Sequence, residues 1–485
     1  MPALSEEVAL RVAPDEQVLT DARGLIRKNK FANLGLSADG TWLLGQCQGS
    51  AKEPYQVSVD LAVADSPIGR CNCPSRKFPC KHGVGLMLLY VQDASKFAPR
   101  EPDEALKAKR DKAAARAEKS ATAAPKKVNT AALGKKIQAQ RDGLDLLEKL
   151  LIDLASSGQW FEESRLDRLR RQSKQLTDAY LKGAAYSVNS LVLLGEDNKW
   201  VDPERRGRIP EEEKLAIGAD ILAQLWATVQ KGRNYLDERL ASDESAAEAD
   251  AVVENVLGRS WQLAELREKG YFRQDLSLLE LAYERFNDPA GEMRVEISHL
   301  LELKSGDLLQ AITYRPFKAM QHVPEQPSYG QPLTVREAAV YPGFFNRRVR
   351  WEKGAEATVE FALEHLKLAY AKANPDFKPA LDAFRKQLKH PLAPREAVML
   401  LRCEKIGKVG DRIVLEDAAS ARIVAADMPE RTGTYSNVAN LERAAGMLKE
   451  RPAVLARLFV QPLTNAIEAQ PLAALTEKQH LRLGL

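Results

Sequence analysis

The chain has 485 residues, 28% of them charged and 45% hydrophobic, with a formal net charge of +4 and five cysteines. That is enough for two to four domains, each with its own core, in an ordinary soluble globular composition. No apolar run approaches the roughly 18 residues a membrane span needs. The N-terminal MPALSEEVALRVAPDEQ lacks the basic and then apolar pattern of an export signal, so a cytoplasmic protein is expected.

Residues 1–95 are expected to form an N-terminal unit. It opens with an amphipathic helix-like stretch, followed by strand patterns from Thr41 to Gln46 and from Tyr55 to Leu61. The turns ADG and GSAKEP punctuate them. Ten Lys/Arg balance ten Asp/Glu here.

The run CNCPSRKFPCKH (71–82) then places Cys71, Cys73, Cys80 and His82 in a C-x-C-x6-C-x-H pattern. Three of the five cysteines fall in this window, and four soft or borderline ligands are what a closed tetrahedral zinc site needs. Pro74 and Pro79 stiffen the intervening loop and lower the entropy lost when it closes. The following GVGLMLLYV (83–91) has helical spacing of Val84, Met87, Leu88 and Val91, so the second ligand pair is expected at a helix N-terminus, where the dipole favours thiolate. Zn²⁺ with three thiolates and a neutral imidazole keeps one net negative charge, and Arg70, Arg76, Lys77 and Lys81 are candidates to offset it. Three reduced structural cysteines beside an unrelated histidine are the plain alternative. A disulfide suits an oxidising compartment that nothing else indicates, and iron–sulfur clusters usually draw four cysteines.

This pattern, with strands before it and an apolar helix after it, resembles the SWIM-type zinc finger. All four ligand positions match, and WLLGQCQGS and PYQVSVDL suit its strand region. The resemblance covers about residues 40–92, and it implies a ββα-like finger over about 55–92 with one structural Zn²⁺. GLDLLEKLLIDLASSG (143–158) is similar to a helix in bacterial SWIM proteins of about this length. Those tend to be encoded beside MoxR-type AAA+ ATPases and von Willebrand A-type proteins, which the resemblance therefore implies as partners. SWIM domains are associated with both nucleic-acid and protein binding.

Residues 96–136 form an Ala/Lys/Arg segment with twelve Lys/Arg against five Asp/Glu and few large apolar residues. It reads as a linker with transient helix, serving as a phosphate-contacting tether or as a solvated spacer. Residues 137–270 read as a helical domain: Leu144, Leu147, Leu150, Leu151 and Leu154 recur at helical intervals and Gly158 follows as a stop. Residues 271–485 read as one or two α+β domains. SLLELAYERFND and EMRVEISHLLELKSGDLLQAITYRPF suggest antiparallel strands, TVEFALEHLKLAYAKA and DFKPALDAFRKQLK suggest helices, and REAVMLLRCEKIGKVGDRIVLEDAASARIVAADM returns to strands. The expected class is multidomain α+β.

No phosphate-binding G-x4-GK[ST] loop, dinucleotide G-x-G-x-x-G, HExxH or G-x-S-x-G is present, so no catalytic residue or organic cofactor site is assigned and a non-enzymatic protein is expected. His299, His322, His365, His390 and His480 lack ligand spacing and read as surface or satisfied core histidines. Cys47 and Cys403 read as buried and inert. YPGFFNRRVRW (341–351) interleaves Tyr341, Phe344, Phe345 and Trp351 with Arg347, Arg348 and Arg350, a combination that stacks bases and contacts phosphates, or that packs on a core while the arginines snorkel. The expected function is a zinc-binding interaction adaptor, with protein–protein contact ahead of DNA or RNA binding through the finger and basic segment.

Overall fold

The computed structural model describes residues 4–484 apart from 14–15, 50–52, 63–66, 76–78, 109, 112–129, 159, 197–208, 242–250, 259–260, 321–324, 326–327, 353, 429–435 and 449. It is a multidomain α+β structure of two compact units, Met1–Val128 and Asn129–Leu485.

The first unit begins with α1 (Glu6–Arg11), capped by Ser5, whose Oγ accepts the Val8 N–H at 3.3 Å, and α2 (Glu16–Arg27). Five strands follow: β1 (Phe31–Leu36), β2 (Trp42–Cys47), β3 (Tyr55–Asp60), β4 (Ile68–Cys71) and, beyond α3 (Lys81–Gln92), β5 (Ala98–Pro99). Their order is β4-β3-β2-β1-β5, antiparallel except for β1 with β5. The core joins Leu43, Val57 and Val59 of the sheet to Ala9, Ala22, Leu86 and Met87 of the helices. His82 through Leu89 are all buried, so α3 is not a one-sided surface helix but is covered on every side over two turns. Gly85 is part of the reason it fits: a Cβ there would stand 2.7 Å from Cζ of Phe31.

Part of the stretch read as a linker belongs to this unit. Residues 98–99 form β5, and Arg110 closes back onto the sheet. Its Nε and Nη2 donate to the two carboxylate oxygens of Asp60 at 2.9 and 2.7 Å, and its Nη2 also donates to the Thr41 carbonyl at 3.1 Å. The guanidinium lies 4.2 Å from the centroid of Trp42, a side chain only 2% exposed. The remaining part of that reading, 112–129, lies outside the described residues, and 130–136 are helical.

The second unit opens with helices α4 (Thr130–Ser157), α5 (Glu163–Asp178), α6 (Lys182–Gly195), α7 (Glu211–Ala241), α8 (Ala251–Val256) and α9 (Leu263–Glu268). The stripe Leu144, Leu147, Leu150, Leu151 and Leu154 is buried together with Leu169, Val188 and Leu236. Gly158 follows α4 at φ +67°, the left-handed region that glycine enters freely. The first sheet has order β10-β9-β6-β7-β8, from β6 (Phe272–Asp288), β7 (Met293–Glu302), β8 (Leu308–Pro316), β9 (Leu333–Val340) and β10 (Val349–Arg350), with β11 (Glu356–Thr358) added to β9. Helices α10 (Leu363–Ala371) and α11 (Phe377–Leu388) lead to β12 (Glu396–Arg402). A ribbon of β13 (Lys405–Val409), β14 (Arg412–Glu416) and β15 (Arg422–Val424) follows; its first turn is tighter than IGKVGD suggested, because β13 runs through Val409. After α12 (Asn437–Met447), β16 (Ala453–Val460), β17 (Ile467–Leu475) and β18 (His480–Arg482) complete the sheet β12-β16-β17-β18.

The two large sheets share a core that includes Leu281, Leu301, Val398, Leu455 and Leu472. A buried charge network crosses it. Arg457, 1% exposed, grips the Glu284 carboxylate with both terminal nitrogens, and His299 meets the same carboxylate at 2.6 Å. Burial alone would raise the Glu284 pKa, but the Arg457 charge and the His299 bond outweigh it and hold the carboxyl far below its ordinary 4.5. That stabilisation is therefore present above pH 4.5 and is lost as the pH falls below it. Arg457→Ala leaves a buried anion against His299 alone and is expected to destabilise this unit by about 3–5 kcal/mol, read as a lowered urea midpoint at pH 7. The double variant Arg457→Met/Glu284→Leu is expected to recover part of that loss.

Candidate metal centre

The centre is assembled at the junction of β4 and α3. Cys71 is the last residue of β4 and pairs with Val57 of β3. The chain then turns, with the Asn72 side chain accepting the Gln56 N–H at 2.8 Å, which fixes Cys73 one step beyond the sheet. Pro79 brings the far side of the loop back against β4. A Cβ on Gly69 would lie 2.9 Å from the Pro79 Cβ, so the close approach depends on a residue without one. Cys80 occupies the N-cap of α3 in extended conformation, and His82 sits in its first turn.

The ligand atoms of Cys71, Cys73, Cys80 and His82 all lie within 4.8 Å of one another. Nδ1 of His82 is 3.7 Å from Sγ of Cys71 and 3.7 Å from Sγ of Cys80. A tetrahedron with Zn–S of about 2.3 Å and Zn–N of about 2.0–2.1 Å has S···N edges of about 3.6 Å, so these residues fit one zinc ion. Cys80 and His82 are buried, at 2% and 4% exposure, whereas Cys71 and Cys73 are half-buried. Tyr55 covers the imidazole, its ring centroid 5.0 Å away.

The sulfurs are not equivalent. Hydrogen bonding from the Cys71 thiol, the imidazole and the Gly83 N–H lowers the Cys80 pKa, while the same bond to Cys80 raises that of Cys71. Burial raises Cys73. The helix N-terminus thus favours the first thiolate at Cys80, and a divalent cation supplies what the other two need. With four protein ligands the coordination is closed, which makes the ion a structural one.

The expected counter-charges are directed elsewhere. Lys81 bonds Asp21 of α2 at 3.2 Å, and Arg70 points toward Asp60 at 3.9 Å and toward Trp42. Arg76 and Lys77 lie outside the described residues. Cys47 is fully buried in β2, where burial and the Cys80 charge push its thiol up to about 11. Cys403 is likewise buried and pushed up to about 12. His299, His365, His390 and His480 do not converge; His480, for instance, bonds the Leu281 carbonyl at 2.7 Å. His322 lies outside the described residues. Two contributors carry no signal for the site in the sequence: Tyr55 reads only as a strand residue, and no motif marks Gly69.

These elements define a closed Cys3His zinc finger of strands followed by a helix. The family model of the SWIM zinc finger matches residues 55–90, a stretch that contains all four ligands. No similar curated protein and no similar solved structure was found. Among the described residues, no helix is long and apolar enough to cross a membrane.

Purified protein is expected to carry one zinc per chain by elemental analysis. Cys80→Ser is expected to lower zinc affinity by more than the 10–100-fold that loss of an outer-shell partner costs. Proteolysis of that variant is expected to open the region around residues 55–92 while fragments of 129–485 persist.

Proposed function

We propose that the protein is a non-enzymatic, zinc-dependent interaction adaptor whose finger docks a protein partner along the free edge of β4. One observation carries this reading. Among the described residues β4 pairs only with β3 and so ends the sheet, and Ile68 on it is 51% exposed. Cys71 ends this strand, so the metal that holds Cys71 also holds the edge in shape for an extended segment of a partner. The partner class is the one the resemblance to bacterial SWIM proteins implies, a MoxR-type AAA+ ATPase or a von Willebrand A-type protein, met in the cytoplasm.

A second reading is DNA or RNA binding through the finger and the basic segment 96–136, whose net charge of +7 favours it. Against it, Arg110 of that segment is engaged with Asp60 and Trp42.

Binding to a purified partner of the implied class, measured by biolayer interferometry, is expected to weaken at least tenfold in Ile68→Asp with zinc content unchanged. In parallel, fluorescence anisotropy with single- and double-stranded nucleic acid over a salt series separates the readings. Salt-sensitive binding that Cys80→Ser abolishes and Ile68→Asp leaves intact would favour the second.

A further inference from the structure

Residues 341–348 of the motif YPGFFNRRVRW connect β9 to β10 as a loop that lies between two cavities. One, of about 990 Å³, is walled by Trp261, Tyr314 and Tyr341 together with the loop's Phe344 and Phe345. The other, of about 700 Å³, lies across the loop and shares Phe344, Phe345 and Arg347 with it. The larger is at the upper end of the sizes usual for small-molecule sites, roughly 300–1,000 Å³.

The loop is clamped in place. Asn346, at φ +56°, donates from Nδ2 to the Val398 carbonyl at 2.8 Å and accepts the Val398 N–H at 2.6 Å, which pins it to β12. The Phe345 N–H donates to Oε1 of Gln387 at 3.3 Å. The Phe345 side chain nevertheless remains 44% exposed, and Tyr314 46%. Rings that have given up this much burial, Phe345 on the anchored loop and Tyr314 on β8, are available to stack.

The charge beside them is cationic. Arg348 is held between Tyr314 and Tyr341, its guanidinium 5.3 and 5.2 Å from their centroids. One terminal nitrogen donates to the Ile312 carbonyl at 3.2 Å, and the buried Nε makes no hydrogen bond. Arg350 is exposed on the same wall. Arg347 is only loosely paired, 3.4 Å from Asp307. Among the described residues lining the larger cavity the one carboxylate is Glu396, whose Oε2 lies 3.2 Å from Nε of Arg457. A wall of exposed rings and several arginine forks suits a ligand that joins a flat ring to an anion. Trp351, by contrast, packs against Tyr329 and the core of the first sheet and takes no part.

We propose that this cleft binds a nucleotide, either free or as one unit of a single strand, stacking the base on the exposed aromatic rings and holding the phosphate with Arg348 and Arg350. The site is distinct from the finger and does not depend on how the finger is used.

The test is titration of the full-length zinc-loaded protein with a fluorescent adenosine monophosphate analogue and with a fluorescein-labelled ten-nucleotide single strand, followed by anisotropy at low and moderate salt. Arg350→Glu and Phe345→Ala change exposed side chains and are compared with the parent, with far-ultraviolet circular dichroism and melting temperature as the check on folding. The proposal expects each substitution to weaken binding at least tenfold, with melting unchanged and Cys80→Ser without effect on the mononucleotide. Loss measured on both probes identifies a free-nucleotide site; loss on the strand alone identifies a single-strand site. Absence of binding by both probes, or binding that neither substitution weakens, would overturn the proposal. So would displacement by inorganic phosphate at the same concentration as unlabelled nucleotide, because the base would then contribute nothing.

Discussion

Three sulfurs and an imidazole brought within 4.8 Å of one another need either protons or a cation between them, since three thiolates at that spacing repel strongly. The N-terminal unit is arranged around this constraint. Cys71 terminates an edge strand, Cys80 caps a helix, and the loop between them is short and stiffened by proline. A metal tie at this junction fixes the angle at which α3 leaves the sheet. That angle in turn determines whether Leu86 and Met87 enter the core over β2 and β3. The N-cap and first turn of α3 contribute two ligands and the following residues contribute core, so metal binding and packing of this unit are coupled.

The same reliance on a neutralised buried charge recurs without metal. Asp60 is 4% exposed and is held by Arg110; Glu284 is held by Arg457 and His299. Such networks add little net stability over a well-packed apolar core, but each is costly to break by removing one partner. They join elements distant in sequence: Arg110 ties the basic segment to Trp42 of β2 and Asp60 of β3, and Arg457 ties β16 to β6.

What could be read in the sequence was whatever is local. The metal site was legible because its four ligands lie within twelve residues and their chemistry is distinctive. The leucine stripe of α4 was legible because helical periodicity is a property of neighbours along the chain. The Arg110 clamp was not, because one arginine in an Ala/Lys/Arg tract looks like the others, and its partner lies 50 residues away. The free edge of β4 depends on strand order, and the cleft beside Arg348 depends on where β8 and β12 pass; neither leaves a pattern in the chain. The segment 341–351 was singled out for its composition, yet only the fold separates Trp351, which faces the core, from Phe345, which faces solvent.

Zinc K-edge X-ray absorption of the purified chain addresses the coordination of this one ion most directly. A shell of three sulfurs at about 2.3 Å and one nitrogen at about 2.0–2.1 Å is the expected result. A first shell dominated by oxygen, or a folded protein with α3 protected and no bound zinc, would contradict it.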